Sequence, residues 1–369
     1  MAAATATEHR LRVLISLHQG GGAGSVNSVA RLALGLARGG VHVRFVCPPD
    51  SEVEAWARRH GVEVHPVLLI RGRRLGNARK LAALLAAHPV DLIDSHGSRD
   101  REALTWLGLR GRLPVPVIFS RRSYPRTTLL ENRLASRVAT RVVALSEPVA
   151  RALERRGTPP GKLTIIHGGV LLDRIDRPVR PEEVAEWRAR IGWEPSRRIL
   201  AIVARPKDQA VALAALPMVR TPVRLVLTGL NGRALTRPLA AIPARHAVVR
   251  LPFLPEVRPL YDLVELVLHP SRWDALPQAV LEAMALGKPV IASRATGNAV
   301  IIRDGQDGLL VDPLNSVAWA EAIDRVLGDP ALAHRLGVAG RRRAREDFPF
   351  DQTVARTLAL YRASLRESA

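Results

Sequence analysis

At 369 residues the chain exceeds what one typical hydrophobic core supports, which points to two domains. A formal charge of +21, in which only Lys80, Lys162, Lys207 and Lys288 of the 55 basic residues are lysines, favours anionic partners: nucleic acid, an anionic membrane surface or a phosphorylated substrate. The single cysteine, Cys47, excludes an internal disulfide and a thiolate zinc site. The scarce aromatics never interleave with arginine as a single-strand nucleic-acid platform requires, so nucleic acid is the weaker partner.

Residues 11–17 are an apolar run of the buried-strand kind leading into His18-Gln19-Gly20-Gly21-Gly22-Ala23-Gly24-Ser25. Residues 26–38 then place apolar side chains at helical spacing and 41–47 supply the next strand, completing a β-α-β unit. Glycines at such a junction let the backbone approach a phosphate or sugar and leave helix N–H groups free. A dinucleotide fingerprint is the rival explanation, but Asn27 stands where its third glycine belongs and Asp50 is only an approximate ribose acid. Residues 52–60 read as a helix and 62–67 as a short strand. The basic cluster at 71–74 with Arg79 and Lys80 is either a solvated face or a membrane or acceptor contact.

An amphipathic helix over 77–87 precedes a strand that starts at 91–94 and ends in Ser95-His96-Gly97. A lone histidine is commonly structural, yet one just past the C-terminal end of a strand in an α/β sheet lies where ligands bind. The strand at 115–120 delivers Arg121, Arg122, Tyr124 and Arg126 to its end, where guanidinium forks suit a phosphate or carboxylate; an anionic acceptor and a plain surface cluster are both open. Residues 141–146 and 164–167 are further strands flanking a helix at 147–156. Residues 173–181, with Pro178 and Pro181, read as the interdomain linker.

The second half opens with a strand at 198–204 ending in Arg205-Pro206-Lys207. Further strands are expected at 223–228 and 248–251, and helices at 319–327, 332–345 and 348–365. Between them the stretch 269–293, HPSRWDALPQAVLEAMALGKPVIAS, reads as strand end, loop, helix, turn and strand, with Pro277 suited to a helix start and Gly287 to its end. Asp274 lies in the loop and Glu282 inside the helix. They read either as a dipole charge and a solvated or paired helix residue, or as ligand carboxylates beside a helix mouth that attracts anions. The chain contains no Asp-x-Asp sequence, and metal ligation is not expected.

The strand end in Pro-Ser, the acid, Leu-Pro and then Leu-Glu-Ala-Met-Ala-x-Gly-x-Pro-Val-Ile-Ala resembles the nucleotide-sugar signature of the retaining glycosyltransferases of family 4. The two acids match its seven-residue separation. The resemblance extends over nearly the whole chain, through the Gly-rich loop, His96-Gly97, Gly168-Gly169-Val170 and the segment 253–261. It implies an α/β architecture of GT-B type: two Rossmann-like doubly wound domains facing a cleft, at 1–175 for the acceptor and 176–347 for the nucleotide sugar. A helix at 348–369 would cross back to the first domain.

Carried over residue by residue, the resemblance places Arg205 and Lys207 on the leaving diphosphate, Asp274 on hydroxyls of the donor sugar and Glu282 on the ribose hydroxyls. It also places His96 near the reacting sugar and Gly22, Ala23, Gly24, Leu276 and Pro277 along the donor. Arg121, Arg122 and Arg126 are then the candidate acceptor contacts. Four departures accompany this reading: Asp274-Ala275 replaces Glu-Gly, only Pro206 separates the two cations, His167 replaces Asn, and Thr296, Gly297 and Val300 stand where Gly-Gly-x-x-Glu is common. The expected activity is retaining transfer from a nucleoside-diphosphate sugar, without cofactor or metal, to an anionic acceptor, of which a membrane glycolipid is one form. Residues 1–175 carry 27 basic and 13 acidic residues, against 28 and 21 in the remainder, which puts the stronger field on the acceptor side. A GT-B sugar-nucleotide epimerase and a non-catalytic anion-binding protein are the alternatives. With no apolar run of about 18 residues and no signal-type core at the start, a cytoplasmic protein, at most peripheral on the inner face of the membrane, is expected.

Overall fold

The computed structural model describes residues 10–21, 24–230, 239 and 241–368. The chain divides into two compact units, one of residues 1–167 with 353–369 and the other of 168–352. No helix among the described residues is long and apolar enough to cross a membrane.

The first unit is built on a seven-stranded parallel sheet in the order β3-β2-β1-β4-β5-β6-β7. Its strands are β1 (Arg12–Ser16), β2 (His42–Cys47), β3 (Glu63–Pro66), β4 (Leu92–Ser95), β5 (Val117–Arg121), β6 (Arg141–Ala144) and β7 (Leu163–Ile165). Strands covered on both faces by crossover helices read as continuous apolar runs, and the inner strands are those runs. Val13 pairs with Val43 on one side and Leu92 on the other, and the core gathers Val13, Ile15, Phe45, Leu92 and Ile118. The order reverses between β1 and β4, so the C-terminal ends of those two strands flank the crevice where an open α/β sheet receives ligands.

The second unit repeats the scheme with six parallel strands in the order β10-β9-β8-β11-β12-β13. They are β8 (Arg198–Val203), β9 (Val223–Thr228), β10 (Ala247–Arg250), β11 (Leu266–His269), β12 (Val290–Ser293) and β13 (Leu309–Val311). Leu200, Leu225, Leu268, Ile291 and the fully buried Trp319 form its core. Here the reversal falls between β8 and β11, which carry the loops of residues 204–208 and 270–277.

The expected linker at 173–181 is replaced by structure. Leu172–Asp176 is a short helix of the second unit and Pro181–Ile191 a full one, ended by Gly192 in the left-handed region at φ 60°. Pro181 followed by Glu182 and Glu183 is a helix-start signal, so the prolines mark a beginning rather than a tether. The chain changes units at 167/168 and returns at 352/353. Next to those points the outgoing and returning segments pair: Val170 N–H donates to Phe348 O at 2.8 Å and Phe350 N–H to Val170 O at 3.0 Å. A Cβ at Gly169 would fall 2.5 Å from the Phe350 backbone, so this crossing needs glycine.

From Thr353 onward the last helix, Phe350–Ser368, belongs to the first unit, where Tyr361 is fully buried and donates to Asp94 at 2.6 Å. Among the helices not read from the sequence are Ser98–Gly108, Leu129–Val138 and Gln209–Ala215. Each buries polar side chains on its inner face, namely Asp100 and Arg101, Asn132 and Ser136, and Gln209, which erases the apolar period that signals a helix.

Candidate functional site

In the second unit, β11 ends at His269 and the chain turns through residues 270–277 into the helix Gln278–Ala285. His269 is buried, and its Nε2 lies 2.8 Å from Asp274 Oδ2; the Lys207 ammonium pairs with the same oxygen. Burial by itself would raise the Asp274 pKa, but the hydrogen bond and charge of His269 together with Lys207 win and hold the carboxyl well below its usual range. Asp274 is therefore a fixed anion.

Its loop is clamped from two sides. Arg272 donates through its backbone N–H and its Nε to the two oxygens of Asp208, both at 3.0 Å, tying the 270–277 loop to the 204–208 loop. Thr296 donates its hydroxyl to the carbonyls of Asp274 (2.9 Å) and Arg272 (3.2 Å), and Gly297 N–H donates to Asp274 O at 2.8 Å. Thr296 sits at φ 38°, a region that favours glycine, at the position where the family signature carries one. Its hydroxyl bonds offset that strain. A Cβ at Gly297 would meet Ala275 O at 2.5 Å, so the second glycine of the pair has no substitute.

The short Arg205-Pro206-Lys207 loop is closed from within by Gln209, whose Oε1 accepts from Lys207 N–H at 2.5 Å and whose Nε2 donates to Arg205 O at 2.8 Å. Arg205 is exposed, whereas the Lys207 side chain, 29% exposed, is the cation paired with Asp274. Glu282 is placed differently. Arg174 Nη1 donates to its Oε1 at 3.1 Å, while the same guanidinium reaches Glu256 at 3.5 Å and Pro255 O at 3.4 Å. Tyr261 is buried beneath, its phenol pushed up by burial and then by the Glu282 charge. Leu276 and Pro277 are buried, so what they offer a ligand is main chain.

In the first unit, Gly22 and Ala23 lie outside the described residues. Gly24 opens the helix Gly24–Arg38 with nothing within 4 Å of a would-be Cβ. Among the described glycines of this junction the tightest is Gly20, whose Cβ would strike Ser51 at 2.5 Å. Past β4, His96 accepts at Nδ1 from Arg122 Nε (3.2 Å) and brings Nε2 to 3.2 Å from Asp94 Oδ2. Asp94 in turn accepts from Ser120 (2.7 Å) and Tyr361 (2.6 Å). Beside it a second buried carboxylate, Asp100, collects Ser16 Oγ, Ser95 Oγ, Gly97 N–H and His18 Nδ1. Neither acid nor His18 stood out in the sequence, because each is defined by partners distant in the chain.

The three candidate acceptor arginines do not form one surface. Adjacent residues at a strand end point to opposite faces. Arg121 is buried against Asn132 Oδ1 (3.3 Å), its pKa lowered to about 9 by burial and then by Arg101 and Arg156. Arg122 turns to His96 and to Ser28 Oγ at 2.7 Å, its pKa lowered to about 10 by burial. Only Arg126 is exposed.

Two parallel doubly wound sheets, each reversing its order at the strands that carry these residues, with a last helix returning to the first unit, define the GT-B class. The chain belongs to glycosyltransferase family 4: the family model Glycosyltransferase Family 4 matches residues 22–174, and the model Glycosyl transferases group 1 matches residues 197–329. It is 29% identical over 238 residues to a D-inositol 3-phosphate glycosyltransferase of Rhodococcus jostii, an alignment covering 60% of this chain and 52% of that protein. The chain thus spans about half the length of that relative. Against the Mycobacterium bovis protein of the same name the identity is 27%, with 94% of this chain and 80% of that one covered. HepE of Anabaena, solved in complex with UDP-glucose, shares the fold at a TM-score of 0.79 and 20% identity, over 95% of this chain and 100% of that one.

Proposed function

We propose that the protein is a retaining, metal-independent glycosyltransferase that moves a sugar from a nucleoside-diphosphate donor to an anionic acceptor, with no cofactor beyond the donor. The observation that carries this reading is the fixed Asp274 carboxylate at the end of β11, held by His269 and Lys207, with Arg205 exposed nearby in sequence. Both contacts to Asp274 go to Oδ2, so Oδ1 is the oxygen to accept from a donor-sugar hydroxyl. When the donor binds, its diphosphate draws Lys207 and Arg205 onto the charge that grows as the sugar departs. Glu282 takes the ribose hydroxyls with Arg174 orienting its carboxylate. The leaving phosphate accepts the proton of the acceptor hydroxyl on the same face of the sugar, which preserves the anomeric configuration.

The first unit takes the acceptor, with His96 past the end of β4 as its candidate catalytic residue and Arg126 as its exposed cation. The relatives' name supports a phosphorylated acceptor, and the basic excess of residues 1–175 agrees with one. A phosphorylated membrane glycolipid is the larger alternative of the same chemistry, reached by a cytoplasmic enzyme resting on the membrane. The test is a panel of sugar nucleotides with inositol phosphate or phosphorylated glycolipid as acceptor, following diphosphate release and the product anomer. Release that depends on acceptor, with retained configuration, is expected; conversion of donor to an epimer without acceptor, or no turnover with any donor, overturns the reading. In the same assay Glu282→Gln is expected to weaken donor binding by about 1.5–3 kcal/mol, the worth of hydrogen bonds to a charged group. Calorimetry with the donor measures it, and an unchanged dissociation constant removes Glu282 from the ribose.

A further inference from the structure

On the outer edge of the first unit's sheet, away from every residue used above, three side chains converge on one carboxylate and a fourth stands beside them. Glu63 and His65 lie two apart on the edge strand β3, hence on the same face, and His42 and Arg44 lie two apart on its neighbour β2. His88, just past the helix Arg74–Ala87, brings its ring to 4.3 Å from that of His65. His65 Nε2 lies 2.7 Å from Glu63 Oε1 and His42 Nε2 lies 2.5 Å from Glu63 Oε2.

We propose that Glu63, His65 and His88 bind one divalent transition-metal ion of the zinc class. One ligand atom from each of the three lies within 4.8 Å of the others. Ligands around a tetrahedral zinc ion stand ~3.4 Å apart, and a rotation of partly exposed side chains closes that difference. Two imidazoles and a carboxylate with a fourth position open to water suit zinc, nickel or copper, whereas magnesium and calcium require oxygen. The metal takes the place of the contact between His65 Nε2 and Glu63 Oε1, with the imidazole proton on Nδ1.

Two surrounding features favour a cation here. His88 is the capping residue at the C-terminal end of its helix, where unpaired carbonyls and the dipole are negative. His42 holds the far oxygen of Glu63, the kind of outer contact that orients a ligating carboxylate. Arg44 opposes the site, because its Nε lies 3.2 Å from Glu63 Oε1; its Nη1 is anchored on Pro89 O at 2.5 Å, which leaves the Nε contact as the one to be surrendered. The ion would fasten the edge strand to the end of the 74–87 helix and so cover part of an exposed sheet edge.

The experiment is zinc titration of the tag-free full chain against a chromophoric chelator, with thermal unfolding in parallel. One ion per chain and a higher unfolding temperature in zinc are expected. His65→Ala, His88→Ala and Glu63→Gln should each weaken binding at least about tenfold, the scale seen even for outer-contact changes, while the exposed His334→Ala should change nothing. The substitutions are at partly exposed positions, and the unfolding curve of each variant without zinc reports its integrity. If the chain binds no zinc, or if all three variants bind it as the parent does, the site does not exist.

Discussion

Lys207→Ala is expected to slow turnover by at least about a hundredfold, because an ammonium aimed at a departing diphosphate acts mainly on charge present in the transition state. Arg205→Ala should do the same. The two substitutions differ in one respect that the structure makes visible: removing Lys207 also takes a cation from Asp274, leaving that carboxylate to His269 alone. Both side chains of the pair are largely buried, at 29% and 20% exposed, while Asp274 keeps His269, so the lost contact costs on the order of 1–3 kcal/mol of stability, which the unfolding curve reports separately from the collapse in kcat. Steady-state kinetics with saturating donor and acceptor, run beside thermal unfolding, separates the two. Wild-type rates in both variants would show that the diphosphate is held elsewhere.

Asp94→Ala is expected to cost about 3–5 kcal/mol of stability, since it strips a fully buried acceptor from Tyr361, Ser120 and His96 at once. Tyr361→Phe keeps the ring in the core and loses one bond to a charged group, so about 1.5–3 kcal/mol is expected. Urea unfolding measures both. The acid dependence has a definite sign. Burial alone would raise the Asp94 pKa, but His96, Tyr361 and Ser120 together lower it below the ordinary value. A depressed carboxylate stabilises the fold fully above its unfolded pKa of about 3.9 and loses that contribution as pH falls through the folded value. The gap in unfolding free energy between the parent and Asp94→Asn should therefore be constant from neutrality down to about pH 5 and narrow below about pH 4.

How much of this was readable in the sequence depends on where each element's partners lie. Most strands were legible because a parallel strand buried on both faces must be apolar, as in residues 199–203. The helix Leu129–Val138 was not, since it buries Asn132 and Ser136 and exposes Leu129 and Leu130, even though its Thr128–Glu131 capping box is a local signal that could have been used. Asp274 and Glu282 could be found from the residues around them, which resemble the family signature, together with their spacing. Their partners could not: Lys207 and Arg174 come from segments far along the chain, and only folding brings them to the two acids. Arg121 and Arg122 show the opposite failure. Adjacency suggested a cluster, while the alternation of a strand sends one guanidinium inward to Asn132 and the other to His96.

The paired segments at 168–170 and 348–350 fix an order of events during synthesis. The first unit begins the chain but owns the last helix, so when residues up to 167 have left the ribosome its sheet is complete while the place of Tyr361 is vacant and the Asp94 carboxylate lacks one of its donors. The second unit is emitted whole in between. Folding that proceeds from the N-terminus therefore leaves the earlier domain waiting, with the apolar cluster that Tyr361 joins incomplete, until residues 353–368 emerge. A truncation that removes residues 353–368 would thus damage the unit made first.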